Sequence, residues 1–251
     1  TVDRHSDTAI QLAIKHGQTA CAQLLIDAGA YLRYMDETDW VWMPSSNKTL
    51  PAQLTVDEDV DDGTEVESHG MTVLMLCARV GNAEITRLLV NSNANIETAD
   101  YHARKSLRIA AEFGHPECIQ LLLDANIDIN YQNRRSGETA LISAAKNGHA
   151  ACVELLLRLN ADVHICDRYG KSALMWAARN GLIAGVQQLI DAGGDVLLRD
   201  KYGVSASLMA AEKGQLACLR ALLDAKADVN VADRLGITAV MVSAENGHFA
   251  C

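Results

Sequence analysis

The sequence predicts an all-α solenoid of stacked helix-turn-helix units that are joined by β-hairpin-like loops. The first observation behind this prediction is a glycine that returns every 33 or 34 residues, at Gly81, Gly114, Gly148, Gly181, Gly214 and Gly247. The second is a pair of short apolar segments that flank this glycine in each period. Such a period indicates structural repeats, each of which buries its apolar face against its neighbours.

The local signals within one period define the unit. Ser172 is a candidate N-cap, because its hydroxyl can accept a hydrogen bond from a free backbone N–H. Gly181 supplies the left-handed residue that ends the first helix, and Gly193 ends the second in the same way. Asp200 and Gly203 then frame a tight turn. Each unit is therefore predicted to contain a helix, a turn, a second helix and a hairpin.

Four short motifs recur at this period and carry a resemblance to a known family. They are Gly-x-Thr-x-Leu, Ala-Ala-x-x-Gly-His, Leu-Leu-Leu and Ala-Asp-Val-Asn, in seven units that cover all but residues 34–68. The chain resembles the ankyrin repeat family, which implies one ankyrin-repeat array over residues 1–251. The units are expected near residues 3–33, 69–99, 100–132, 133–166, 167–199, 200–232 and, as a partial unit, 233–251.

The chain departs from the family pattern at the start of the first helix of each unit. The family motif Thr-Pro-Leu-His never occurs, so some pre-organisation of the first helical turn is lost. We therefore expect modest stability per unit. In the third unit Lys105 stands where the capping Thr belongs, and the first helix of that unit is expected to start less firmly.

No catalytic or cofactor-binding pattern is present, and we predict no enzyme activity, cofactor or metal site. Cysteine follows the repeat glycine by four residues in five units. Equivalent positions of stacked helices lie about 8–10 Å apart, too far for a disulfide, so this column predicts a repeated small core residue. A structural role at helix starts is predicted for His115, His149 and His248.

Basic and aromatic residues mark the predicted hairpin tips. In the family, hairpin tips and inner helices form the concave partner-binding surface, and Tyr and Arg often dominate interface energetics. The alternative is that a basic residue after the turn aspartate only solvates the loop. The candidate partner-binding residues are Tyr101, Arg104, Arg134, Arg135, Arg168, Tyr169, Lys201, Tyr202 and Arg234 at the tips, and Arg179 on an inner helix.

Residues 34–68 form an insertion between the first and second units, which lengthens the interval from Gly17 to Gly81 to 64 residues. The insertion carries ten acidic residues and one lysine, and hence −9 of the chain's net charge of −10. Trp40 and Trp42 lie in its apolar part and are added to the candidate binding residues. One interpretation is a tolerated surface loop. The other is that both tryptophans dock onto the array while the acidic run lies near the basic tips and competes with acidic partners.

The leading functional hypothesis is a non-catalytic scaffold or adaptor that binds another protein, which could carry an acidic segment. The alternative is the substrate-targeting arm of a larger enzyme, such as a kinase or a ubiquitin-ligase component. Nucleic-acid binding is disfavoured, because the array is too sparsely basic for the phosphate contacts that dominate such binding.

The remaining expectations concern location and assembly. Many reduced thiols point to an intracellular setting, cytoplasmic or nuclear. No apolar run approaches the roughly 20 residues that a bilayer crossing needs, so no membrane partner is expected. The abrupt first and last units suggest part of a longer array or protein. We expect a monomer, with end-to-end contact open to the uncapped terminal units.

Overall fold

The computed structural model describes residues 9–27, 73–91, 101–249 and 251. These residues form two short helices in each of the first six units, one on each side of the repeat glycine, and one helix in the last unit. The helices are α1 (Ala9–Lys15), α2 (Thr19–Asp27), α3 (Val73–Val80), α4 (Ala83–Asn91), α5 (Tyr101–Phe113), α6 (Pro116–Asp124), α7 (Ala140–Lys146), α8 (Ala150–Arg158), α9 (Ala173–Arg179), α10 (Ile183–Asp191), α11 (Ala206–Glu212), α12 (Leu216–Asp224) and α13 (Ala239–Glu245).

The helices stack in two parallel rows. The odd-numbered inner helices contact one another in sequence from α1 to α13, and the even-numbered outer helices do so from α2 to α12. Each inner helix from α1 to α11 also packs on the outer helix of its own unit. This arrangement confirms the predicted all-α solenoid. Among the described residues, no helix has the length and apolarity needed to span a bilayer.

The predicted caps and turns are present where the structure describes them. The Ser172 hydroxyl accepts a hydrogen bond from Met175 N at 3.4 Å. Thr139 and Thr238 cap α7 and α13 in the same way. Gly181 and Gly193 have φ angles of 72° and 89°, the left-handed values expected at helix ends.

The hairpin turn at residues 200–203 is built around a buried aspartate. Asp200 Oδ1 accepts hydrogen bonds from Tyr202 N at 2.8 Å and Val204 N at 2.9 Å. The turn closes through a bond from Gly203 N to Asp200 O at 2.9 Å. The predicted Asp–Gly turn is therefore confirmed, and two of its backbone donors are satisfied by one carboxylate oxygen.

The third unit differs from its prediction. We predicted a hairpin tip at residues 101–104 and a weak helix start at Lys105, but α5 begins at Tyr101 and is 13 residues long. Ala103 stands where Gly170, at a φ of 83°, makes the turn in a later unit. Alanine disfavours the left-handed conformation and favours helix, so the chain becomes helical at this point. The tip assignment for Tyr101 and Arg104 was wrong.

Only some of the cysteines that stand four residues after the repeat glycine are buried in the core. Cys118, Cys152 and Cys218 are buried, whereas Cys21 is exposed and Cys251 is half-buried. Burial raises the pKa of the Cys152 thiol to about 11, so this thiol stays protonated and unreactive near neutral pH. The buried members therefore act as small apolar core residues.

Histidines at the start of outer helices connect neighbouring units. His149 Nε2 donates a hydrogen bond to the Glu112 carbonyl of the preceding unit at 2.8 Å. His115 and His248 make the equivalent bonds to Arg79 O and Glu212 O, at 3.1 and 3.2 Å. The predicted structural role of these histidines is thus confirmed, and it extends across unit boundaries.

A second inter-unit bond is made by an asparagine after the outer helix. Asn130 Oδ1 accepts a hydrogen bond from Asp162 N of the next unit at 2.8 Å. Leu197 occupies the same place in its own unit, two residues after Asp195, and is 59% exposed. The residue that corresponds to Asp162 in the following unit is Asp228.

We therefore expect Leu197→Asn to stabilise the protein. The new amide oxygen would accept a hydrogen bond from Asp228 N, worth about 0.5–1.5 kcal/mol in the free energy of unfolding. Urea unfolding followed by circular dichroism measures the change. Leu197→Ala is the matched control, since it removes the same apolar surface without supplying an acceptor. Equal midpoints for both variants would contradict the predicted bond.

Candidate protein-binding surface

Four successive hairpin tips line up along one edge of the solenoid. We call their exposed ends the tip row, which consists of residues 134–136, 168–169, 201–202 and 234–235. The backbone joins each tip to the next: Arg168 N donates to Ser136 O, Lys201 N to Tyr169 O, and Arg234 N to Tyr202 O, at 2.8–2.9 Å. Since these bonds repeat at equivalent atoms, the tip row presents its side chains at fixed and regular positions.

Two tyrosines lie at the centre of the tip row. Tyr169 and Tyr202 are 46% and 54% exposed, and their rings stack with centroids 6.5 Å apart. The Arg168 guanidinium lies 5.7 Å from the centroid of the Tyr169 ring. Leu235, the equivalent residue of the next tip, is 83% exposed. The tip row thus exposes aromatic or apolar side chains at three successive tips.

The tip row also carries five cations. All five are exposed, and in the described part of the chain none of them lies within 4 Å of a carboxylate. They are Arg134, Arg135, Arg168, Lys201 and Arg234. The turn carboxylates of Asp167 and Asp200 are buried and accept backbone N–H groups instead. The surface charge of the tip row is therefore positive.

A second group of cations lies close to a tryptophan on the inner helix α9. Trp176 is half-buried, and its Nε1 donates to Asp167 Oδ2 at 3.3 Å. Lys171, Lys146 and Arg179 place their charges 5.1, 5.5 and 5.6 Å from its ring centroid. We call these four residues the Trp176 cluster. Cations at such distances are attracted by the face of an indole ring.

Acidic residues of the adjacent units balance part of this charge. Lys146 Nζ lies 2.6 Å from Glu138 Oε1, which is a close ion pair. Arg179 and Lys171 make long contacts, to Glu212 at 3.9 Å and to Asp200 at 3.7 Å. Lys171 and Arg179 are therefore held loosely by protein carboxylates, and Lys146 is held firmly.

The structure sorts the candidate residues into three groups. Arg134, Arg135, Arg168, Tyr169, Lys201, Tyr202 and Arg234 lie together in the tip row, and Arg179 lies in the Trp176 cluster. Tyr101 and Arg104 belong to α5, where Arg104 is half-buried and packs on the Tyr131 ring at 5.2 Å. Trp40 and Trp42, with the whole insertion, lie outside the described residues.

Sequence reasoning missed Trp176. Its signal was the spacing Trp176–Arg179, because residues three apart share one face of a helix. The approach of Lys146 from the preceding unit and Lys171 from the tip required the folded arrangement. Within the described residues, no group of three or more His, Cys, Asp or Glu side chains is placed to hold a metal ion.

Comparison with known families agrees with this geometry. A family profile described as "Ankyrin repeats (3 copies)" matches residues 45–133, 107–200 and 184–251, and one described as "Ankyrin repeat" matches residues 5–37. The chain belongs to the ankyrin repeat family. Ankyrin repeats are typically non-catalytic modules that bind other proteins, so the tip row and the Trp176 cluster lie on a protein-interaction domain.

Several curated proteins are similar to part of this ankyrin array. The nuclear factor NF-kappa-B p105 subunit of Gallus gallus is 27% identical over 55% of the chain, and the E3 ubiquitin-protein ligase XBAT33 of Arabidopsis thaliana is 38% identical over 26%. The putative ankyrin repeat protein R664 of Acanthamoeba polyphaga mimivirus is 31% identical over 37%. The matches span 15%, 13% and 64% of these relatives, respectively.

Proposed function

We propose that this ankyrin array is a non-catalytic scaffold or adaptor that binds a partner protein through the tip row and the Trp176 cluster. The observation that carries the proposal is the tip row itself. It exposes two stacked tyrosines and five cations on a backbone that is fixed by tip-to-tip hydrogen bonds.

The residue types and their rigidity both favour binding. Tyr, Trp and Arg are the side chains most enriched among energetically dominant interface residues. A surface that is already ordered loses less conformational entropy on association than a mobile loop does. Tyr169 and Tyr202 combine exposure with fixed placement, and they are therefore the proposed centre of the interface.

The test begins with an affinity pull-down by the array, which supplies a partner. We expect Tyr169→Ala and Tyr202→Ala each to weaken the affinity of that partner about ten-fold or more, since truncating a central aromatic residue costs about 2 kcal/mol. Isothermal titration calorimetry measures the loss.

Leu223→Ala on α12 provides the matched control. Leu223 is 43% exposed, close to the exposure of Tyr169, but it lies on the outer row of helices. Unchanged circular dichroism for all three variants establishes that they fold. A partner that tolerates both tyrosine variants and loses affinity with Leu223→Ala would place the interface on the outer helices.

The second candidate is the substrate-targeting arm of a larger enzyme. Two relatives, XBAT33 and KEG of Arabidopsis thaliana, are named E3 ubiquitin-protein ligases and match this chain over 26% and 37% of its length. In that case the tip row would hold the substrate of an enzyme whose catalytic domain is encoded elsewhere in the same reading frame. The full coding sequence decides between the two candidates.

We also propose an intracellular setting for the array. Its seven cysteines are free thiols, four of them buried, and such thiols persist in a reducing compartment.

A further inference from the structure

We propose that the tip row receives an extended segment of the partner that carries a carboxylate at every third residue. The inference rests on the proposed partner-binding function and specifies the chemistry and spacing of the partner. Its basis is the regular placement of one cation in each of three consecutive tips, at Arg168, Lys201 and Arg234.

These three cations occupy equivalent backbone positions. The N–H of each donates to a carbonyl of the preceding tip, at 2.8, 2.8 and 2.9 Å. Each residue also directly follows the aspartate that organises its own turn. The distance from one cation to the next is therefore set by the stacking of the units, which is about 8–10 Å for packed helices.

An extended polyproline II chain has a matching repeat. It has three residues per turn and rises about 3.1 Å per residue, so side chains at i, i+3 and i+6 share one face about 9.3 Å apart. Carboxylates at these positions would each approach one tip cation. A run of consecutive acidic residues would point in three directions and satisfy fewer of the cations.

The electrostatics of the tips favour carboxylates over other side chains. Asp167 and Asp200, the acidic residues closest to Arg168 and Lys201 in sequence, are 7% and 6% exposed and engage backbone N–H groups. Their carboxylates thus lie beneath the surface, whereas Arg168 and Lys201 are exposed. An approaching segment meets the positive charge first.

The exposed tyrosines of the tip row indicate which residues should lie between the carboxylates of the partner segment. Tyr169 and Tyr202 stack 6.5 Å apart and stand beside Arg168 and Lys201. Proline-rich extended segments dock on exposed aromatic rings, because they are ordered before binding. The segment that fits the tip row best therefore alternates one acidic residue with two proline or other apolar residues.

The experiment compares peptides of identical composition by fluorescence anisotropy with the whole chain. The probe is a fluorescein-labelled peptide of four Glu-Pro-Pro triplets, and its control carries four consecutive glutamates followed by eight prolines. We expect the triplet peptide to bind about five-fold more tightly, with an affinity that falls as salt is raised. A helical peptide with glutamate at every seventh residue tests the alternative backbone with a similar spacing.

Charge-neutral variants locate the site. We expect the affinity for the triplet peptide to fall about two- to five-fold, the range for single exposed charge pairs, in each of three variants. They are Arg168→Gln, Lys201→Gln and Arg234→Gln. Arg158→Gln and Arg220→Gln, at exposed positions of outer helices α8 and α12, are the matched controls and should leave binding unchanged.

The outcomes separate this inference from the proposed function. Equal binding of the triplet and consecutive peptides, tighter binding of the helical peptide, or indifference to the three tip variants would each overturn the inference. If the pulled-down partner still depended on Tyr169 and Tyr202, the proposed function would stand. Loss of that tyrosine dependence together with intact triplet binding would instead overturn the proposed function.

Discussion

Replacing Gly114 with alanine is expected to lower the free energy of unfolding by about 3 kcal/mol, through three effects. A φ of 79° costs a non-glycine residue about 1–2 kcal/mol. The new Cβ would also clash with the His149 ring, far inside van der Waals contact, and such overpacking costs about 1–3 kcal/mol. Moving the imidazole away then weakens its bond to Glu112 O.

Gly148→Ala is the matched control for this substitution. Gly148 holds the same place in the next unit and has a φ of 82°, but a Cβ added there meets no atom within 4 Å. We expect Gly148→Ala to lower the free energy of unfolding by about 1–2 kcal/mol, the cost of the left-handed backbone alone. Urea unfolding followed by circular dichroism measures both variants, and equal losses would show that the imidazole contact contributes nothing. His149→Ala in the Gly114→Ala background should recover the part due to the clash.

Asp167→Ala is expected to lower the free energy of unfolding by a similar amount, about 3 kcal/mol. Its carboxylate accepts three hydrogen bonds, from Tyr169 N and Lys171 N at 2.9 Å and from Trp176 Nε1 at 3.3 Å. Removing an acceptor from partly buried donors costs about 1–3 kcal/mol for each donor that water does not satisfy. The same substitution loosens the tip that carries Arg168 and Tyr169.

Asp233→Ala is the comparison variant, because the turn at Asp233 has no indole donor. Asp233 accepts from Leu235 N and Ile237 N at 2.8 and 2.9 Å, and the residue in the place of Trp176 is Val242. Asp167→Ala should therefore be the more destabilising variant, and the indole N–H resonance of Trp176 should shift in a nitrogen–proton correlation spectrum. Equal destabilisation with an unshifted resonance would show that the indole bond is absent.

The repeat period predicted most of the fold because each unit carries its own local signals. Ser172 caps a helix through one hydroxyl, and Gly181 ends it through one backbone angle, so both effects are readable within a few residues. The start of α5 was not predictable in this way. It depends on a competition between a turn that lacks its glycine, at Ala103, and a segment of good helix formers.

The binding surface was predictable only in part for a related reason. Arg168, Tyr169, Lys201 and Tyr202 were found because they follow a recognisable turn. The Trp176 cluster joins residues from two units and could not be assembled without the packing of α7 on α9. The repeat glycines likewise suggested only a helix end, whereas at Gly114 the contact with His149 gives a second reason for glycine.

Within the tip row, the bonds from each tip to the next that start at Arg168 N, Lys201 N and Arg234 N are made by main-chain atoms. Any residue other than proline that tolerates an exposed turn can therefore be exchanged at positions 168, 169, 201 and 202 without breaking these bonds. Recognition and structural integrity are encoded by different atoms of the same residues. New specificities can thus be selected on this array, by evolution or in the laboratory, one unit at a time.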